Sequence, residues 1–108
     1  MTRSIVTEDH DRAELHLHVG DELVIRLEAI PGTGYSWVVS GPGGGILQQV
    51  GEPRFEKADQ KTMGGAEKQV LTFRVESAGK QTLELEYRRA WEKPGTAKKS
   101  FSVKAIVE

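Results

Sequence analysis

The sequence contains no cysteine. That removes disulfides, thiolate metal sites and a cysteine nucleophile, and leaves stability to packing. It has no apolar run near the roughly 20 residues that a membrane-spanning helix needs. An excess of either charge is also missing: 15 Lys and Arg stand against 16 Asp and Glu, a formal net charge of -1. A chain so balanced has no electrostatic reason to seek nucleic acid or an anionic membrane, and neither is expected as a partner. There is no Gly-x-Ser-x-Gly, no phosphate loop and no paired acid and base at a strand end, so an enzyme is not expected. The first residues, MTRSIVTEDHD, are too polar and acidic for a secretion signal. A cytoplasmic location, or export after removal of a leader, both stay open.

What is present is period two. Glu14-Leu15-His16-Leu17-His18-Val19 alternates strictly and ends at Gly20-Asp21, a turn signal. Leu23, Ile25 and Leu27 then alternate with Val24, Arg26 and Glu28. Tyr35, Trp37 and Val39 share a face of the next run, which Ser40-Gly41-Pro42-Gly43-Gly44-Gly45 breaks. Short strands are expected around Ile46, Leu47 and Val50 and at Arg54-Phe55-Glu56, with Pro53 marking an edge or irregular region. Leu71, Phe73 and Val75 precede a turn at Ser77-Ala78-Gly79-Lys80, and Leu83, Leu85 and Tyr87 follow it, which reads as a hairpin. Phe101, Val103 and Ala105 mark a last strand. No segment carries a helical repeat.

At 108 residues, this is expected to be one domain over 1–108. Its fold class is all-β: an antiparallel immunoglobulin-like β-sandwich of about seven to eight strands, with an open barrel as rival.

Three loops interrupt these strands: Ile30-Pro31-Gly32-Thr33-Gly34, Met63-Gly64-Gly65-Ala66, and Arg89-Ala90-Trp91-Glu92-Lys93-Pro94-Gly95. Gly64 and Trp91 lie at similar sequence distances either side of the turn at Gly79. Strands rising ~3.3 Å per residue therefore bring them to one end. The first loop is about two further strand lengths away, so it should join them at the same pole. Loops on a rigid scaffold are where binding usually resides, and Tyr35, Arg89 and Trp91 are residue types enriched at interface hot spots.

Each of these residues also has a plainer reading. Trp37, in phase with Tyr35 and Val39, fits the position where a sandwich buries a tryptophan. Tyr35 is expected to cap the core rather than touch a partner. Trp91, beyond the end of its strand among charged neighbours, is expected to contact a partner rather than pack over the sandwich. Arg89 continues the inward phase of Leu83, Leu85 and Tyr87, so bracing the loop and contacting a partner stand level. His16 and His18 share a strand face, but a third metal ligand is lacking unless His10 supplies it, so a solvated face is expected. Lys93, Lys98 and Lys99 read as edge-strand charges that discourage sheet-to-sheet association. Asp9, Asp11 and Glu14 read as a solvated acidic run. No cofactor and no metal is expected.

The order Pro-x-Thr-Gly-aromatic, a glycine loop, then Arg-x-Trp after a strand ending in Tyr resembles the chagasin family, immunoglobulin-like inhibitors of papain-type cysteine proteases. That family's first loop reads Asn-Pro-Thr-Thr-Gly and an aromatic; Pro31, Thr33, Gly34 and Tyr35 match it, while Ile30 and Gly32 depart. Its second reads Gly-x-Gly-Gly; here Gly64, Gly65, Ala66 and Glu67 keep the first glycine and lose the last two. Its third, Arg-Pro-Trp, is met by Arg89 and Trp91 with Ala90 in place of Pro. The resemblance implies competitive exclusion: the first loop enters the cleft over the catalytic cysteine and the other two embrace its rims. It implies a papain-like cysteine protease as partner and a monomer. Gly32 puts no side chain beside the catalytic cysteine, and Ala90 loosens the third loop, so inhibition weaker than the family pattern, or a different target, is expected.

Two other readings remain open on the sequence: a non-inhibitory immunoglobulin-like adhesion or assembly module, and a carbohydrate-binding sandwich using Trp91 and Tyr35.

Overall fold

A computed structural model describes residues 2–30, 33–41, 45–57, 67–89, 91–93 and 97–108. The described residues form nine strands: β1 (Arg3–Val6), β2 (Ala13–Leu17), β3 (Glu22–Ala29), β4 (Tyr35–Gly41), β5 (Leu47–Gln49), β6 (Arg54–Lys57), β7 (Glu67–Val75), β8 (Gly79–Arg89) and β9 (Lys99–Val107). A 3-10 turn, Glu8–His10, lies between β1 and β2. One sheet runs β1-β3-β7-β5, with β6 also paired to β7; the other runs β2-β9-β8-β4. Two edge pairings, β1 with β3 and β2 with β9, are parallel. The rest are antiparallel.

The alternating side chains build one core between the sheets. Leu23, Ile25, Leu27, Leu71, Leu83 and Leu85 are each 2% exposed or less. Trp37 is buried among them, its ring centroid 5.1 Å from that of Tyr87 and edge-on to Phe101 at 6.5 Å. Its indole N–H donates to the Glu28 carbonyl at 3.1 Å, as a buried tryptophan requires.

The hairpin expected about Gly79 is not formed. β7 and β8 lie in different sheets, and Glu76–Ala78 carries the chain across the sandwich. Both strands send alternate residues into the same core, and alternation alone does not distinguish pairing side by side from packing face to face. The strand β1 lies outside the alternating runs because only Val6 of its four residues is buried. Of the lysines expected at an edge, Lys98 precedes β9 and Lys99 begins it, and β9 lies between β2 and β8 in strand order. β2 covers only the Val103–Val107 half of it, however.

Two buried glutamines join the sheets. On β7, Gln69 accepts from the Trp37 backbone N–H (2.7 Å) and donates to its carbonyl (2.8 Å). On β8, the Gln81 side-chain oxygen accepts from Leu47 N–H at 3.4 Å. At the end where β2 turns into β3, the Asp21 carboxylate accepts from the N–H groups of His18 (2.9 Å) and Thr2 (3.2 Å). These bonds, that from His18 first, hold its carboxyl below the usual range against the opposing effect of burial.

Candidate functional site at the three-loop pole

Strand register settles where the loops emerge. Ala29, at the end of β3, is paired with Glu67, at the start of β7. Tyr35, at the start of β4, is paired with Arg89, at the end of β8. The Ile30 N–H donates to the Tyr87 hydroxyl at 3.0 Å, joining the two sheets at this end. The chain after Ala29, before Glu67 and after Arg89 thus departs from one pole, as the residue spacing predicts. Of the twelve candidate residues, Thr33, Gly34, Tyr35, Glu67, Arg89 and Trp91 are placed; Pro31, Gly32, Gly64, Gly65, Ala66 and Ala90 lie outside the described residues. Glu67 is a half-buried strand residue rather than part of a loop.

The first loop closes on itself through Thr33. Its backbone N–H (3.1 Å) and its hydroxyl (2.7 Å) both donate to the Ile30 carbonyl. The same hydroxyl accepts from Tyr35 N–H at 3.3 Å. Gly34 follows at φ +83, a backbone conformation that side chains disfavour. A Cβ placed there would stand 3.0 Å from Trp91 Cη2, so glycine is also what lets the indole lie against this loop.

The third loop is closed by a residue that the motif reading passed over. Glu92 accepts from Arg89 N–H through its side chain (3.1 Å), while its own N–H donates to the Arg89 carbonyl (3.0 Å). Its spacing from Arg89 is the available sequence signal, since a side chain three residues on can bond back across a turn. Arg88 donates to the Glu92 carbonyl at 3.0 Å and pairs with Glu86.

Arg89 ties the two loops together. Its Nε donates to the Thr33 carbonyl at 3.3 Å. Its guanidinium carbon lies 4.7 Å from the Tyr35 ring centroid and 5.9 Å from that of Trp91. Such contacts contribute about 0.5–1 kcal/mol each where exposed. Tyr35 in turn stacks on Tyr87 at 5.4 Å. A column of side chains therefore runs from buried Trp37 through Tyr87, Tyr35 and Arg89 to Trp91. Trp91 is 74% exposed, a large aromatic side chain held in place yet open to solvent.

No group of three or more His, Asp or Glu able to hold a metal occurs among the described residues. His16 and His18 are exposed, and His18 Nδ1 lies 3.8 Å from Asp21 Oδ2. The acidic stretch is partly structural: Asp11 accepts from Ser102 N–H at 3.0 Å.

Residues 16–105 match the family model described as Chagasin family peptidase inhibitor I42. The chain belongs to the chagasin family. Chagasin of Trypanosoma cruzi is 29% identical to it over 104 residues, covering 91% of this chain and 92% of that protein. Amoebiasin-2 of Entamoeba histolytica is 26% identical over 103 residues, covering 95% and 84%. The crystal structure of a cysteine protease inhibitor from Entamoeba histolytica superposes with a TM-score of 0.86 at 25% identity, covering 100% of this chain and 97% of that one. Chagasin-family proteins are protease inhibitors and not enzymes, and this chain shares their all-β, immunoglobulin-like sandwich.

Proposed function

We propose that this protein is a reversible, competitive inhibitor of papain-like cysteine proteases, and that its three-loop pole is the surface that occludes the cleft. Membership of the chagasin family over residues 16–105 carries this reading. The pole's geometry supports it. Thr33, Gly34 and Trp91 are held by bonds and contacts already made in the free protein. A loop fixed before docking loses little entropy on docking, so more of its contact energy remains as affinity. Inhibition then needs no chemistry: the loop fills the site, and its peptide bonds are held out of the alignment that attack by the catalytic thiolate requires. Thr33, Gly34, Tyr35, Arg89 and Trp91 are assigned to this surface, together with Pro31, Gly32, Gly64, Gly65, Ala66, Glu67 and Ala90. Trp91 is the assigned contact; Arg89 and Tyr35 act mainly as its support.

The carbohydrate reading fits the pole poorly. The Tyr35 ring is stacked on Tyr87 and carries the Arg89 guanidinium, so it does not form an open platform beside Trp91.

Titration against papain tests the proposal. The expected result is loss of activity that reverses on dilution, with apparent KM rising and kcat unchanged. Full activity at tens of micromolar inhibitor overturns it.

A further inference from the structure

The three loops spring from two different sheets, and their mutual placement depends on how those sheets are fixed at this end. The first loop joins β3 of one sheet to β4 of the other; the second opens into β7; the third leaves β8. Apolar packing between sheets is non-directional and sets no register by itself. Three polar links do. Tyr87 accepts from Ile30, the Trp37 indole donates to Glu28, and the Gln69 carboxamide grips both backbone groups of Trp37.

We infer that Gln69 is a positioning residue for inhibition: its carboxamide takes the place of a neighbouring strand along β4 and thereby sets the first loop relative to the second. β4 is an edge strand among the described residues, and the N–H and C=O of Trp37 are taken up by the Gln69 carboxamide from the other sheet. One donor and one acceptor are needed there, and a carboxamide supplies both. Gln69 is 2% exposed, and its strand begins at Glu67, directly after the second loop. Trp37 closely follows Tyr35 and Gly34 in the first loop's descending limb. The clasp therefore joins the roots of two loops across the sandwich without belonging to the surface that meets a partner. Nothing in the family motifs points to it. The inference rests on the inhibitor reading above.

The clasp is removable without emptying the core. A groove of about 590 Å³, lined by Trp37, Val39, Gln49, Pro53, Phe55 and Gln69, adjoins it. Water entering that groove satisfies the Trp37 backbone groups once the carboxamide is gone.

The test compares the rate constants of papain binding for the wild type, Gln69→Leu, Gln69→Glu and a control, Val107→Ala, whose site lies at the opposite end of β9. Melting temperatures and folded fractions are measured for all four. Gln69→Leu is expected to fold, melt lower and dissociate on the order of tenfold faster, because affinity differences among related complexes lie mostly in dissociation. Val107→Ala is expected to melt lower with its rate constants within about twofold of wild type. Gln69→Glu separates positioning from stability. Its carboxylate accepts from Trp37 N–H but has nothing to donate to the carbonyl, whereas the protonated acid offers both. Its inhibition constant relative to wild type is therefore expected to recover as pH falls from about 7.5 to 5, within reach of a carboxyl whose pKa burial raises. Glu52, the other carboxylate lining the groove, acts in the same direction, since a neighbouring negative charge also raises the pKa of the introduced carboxyl. If Gln69→Leu keeps wild-type rate constants after correction for folded fraction, or the Gln69→Glu ratio is flat with pH, the inference is wrong. If the wild type itself fails to inhibit, the inhibitor reading falls and takes this inference with it.

Discussion

Gly34 and Gly20 make a matched pair for separating the cost of a strained backbone from the cost of a displaced contact. Both have positive φ, +83 and +94. Placing an alanine at either position costs about 1–2 kcal/mol for the left-handed backbone. Near Gly20, a new Cβ meets nothing within 4 Å. At Gly34 it meets Trp91 Cη2 at 3.0 Å and Arg89 Cγ at 3.8 Å. The indole must yield, and it can do so cheaply as far as folding is concerned, because Trp91 is 74% exposed and outside the core. The two variants should therefore lose similar stability, melting roughly 4–8 °C lower per kcal/mol for a domain of this size. Their inhibition should differ. Moving a hot-spot aromatic out of place costs about 1.5–3 kcal/mol of binding, which is roughly a 10- to 150-fold rise in inhibition constant. Gly34→Ala should show that rise; Gly20→Ala, at the far pole where its N–H donates to Val75, should inhibit like wild type. Thermal melts and steady-state inhibition of papain by both variants are the assay. Equal inhibition constants for the two variants would refute the claim that the packing of Trp91 against the first loop matters.

Further outcomes follow from the same geometry. Trp91→Ala should leave the melting temperature almost unchanged, yet weaken inhibition by about 2 kcal/mol or more, roughly 30-fold; an unchanged inhibition constant would place the contact elsewhere. The Asp21 carboxyl is held below its ordinary value in the folded protein, so its contribution is fully present above the unfolded pKa and is lost as pH falls through the folded one. Asp21→Asn should thus melt below wild type near neutral pH, and the gap should narrow in acid; a constant gap in melting curves from pH about 6 to 2 would contradict this. Gly32→Thr and Ala90→Pro, at positions outside the described residues, should each tighten inhibition if the departures from the family's motifs loosen the loops. No gain from either would remove that explanation.

Strand alternation made the fold and the pole legible because it records burial directly, and burial is what this sandwich is made of. Trp37 and Tyr87 lie in the core, and the loop ends meet where the residue spacing puts them. Pairing partners were not legible. The turn at Gly79 reads equally as a hairpin and as a crossing between sheets, since either arrangement sends Leu83 and Phe73 inward. β1 hides because Ile5 is 53% exposed and the strand is held chiefly by its ladder to β3 and the anchoring of Thr2 by Asp21. Gln69 hides for a different reason. It sits in phase with Leu71, Phe73 and Val75, but a polar residue at the head of an apolar run looks like the end of the strand. A glutamine on a core-facing phase is better taken as a question about which buried backbone it satisfies.

The glycine-bearing first loop raises a physical difficulty that these supports resolve. Glycine loses more backbone freedom on ordering than any other residue, so a loop built with it is a poor wedge unless it is ordered beforehand. Ordering costs about 1–2 kcal/mol per residue, and that cost falls on folding rather than on docking wherever the residue is already held. Thr33 is held by its hydroxyl and by Arg89, and Gly34 lies against Trp91. Tyr35 is held by the Thr33 hydroxyl and its stack on Tyr87, and Trp37 by Gln69. The supports at Thr33, Gly34 and Tyr35 come from the loop's own closure of Thr33 onto Ile30 and from Arg89, Trp91 and Tyr87 beside it. At Ile30 the supports act through the backbone, its N–H donating to Tyr87 and its carbonyl accepting from Thr33, so the side chain there can depart from the family's pattern while Thr33, Gly34, Arg89 and Trp91 are kept.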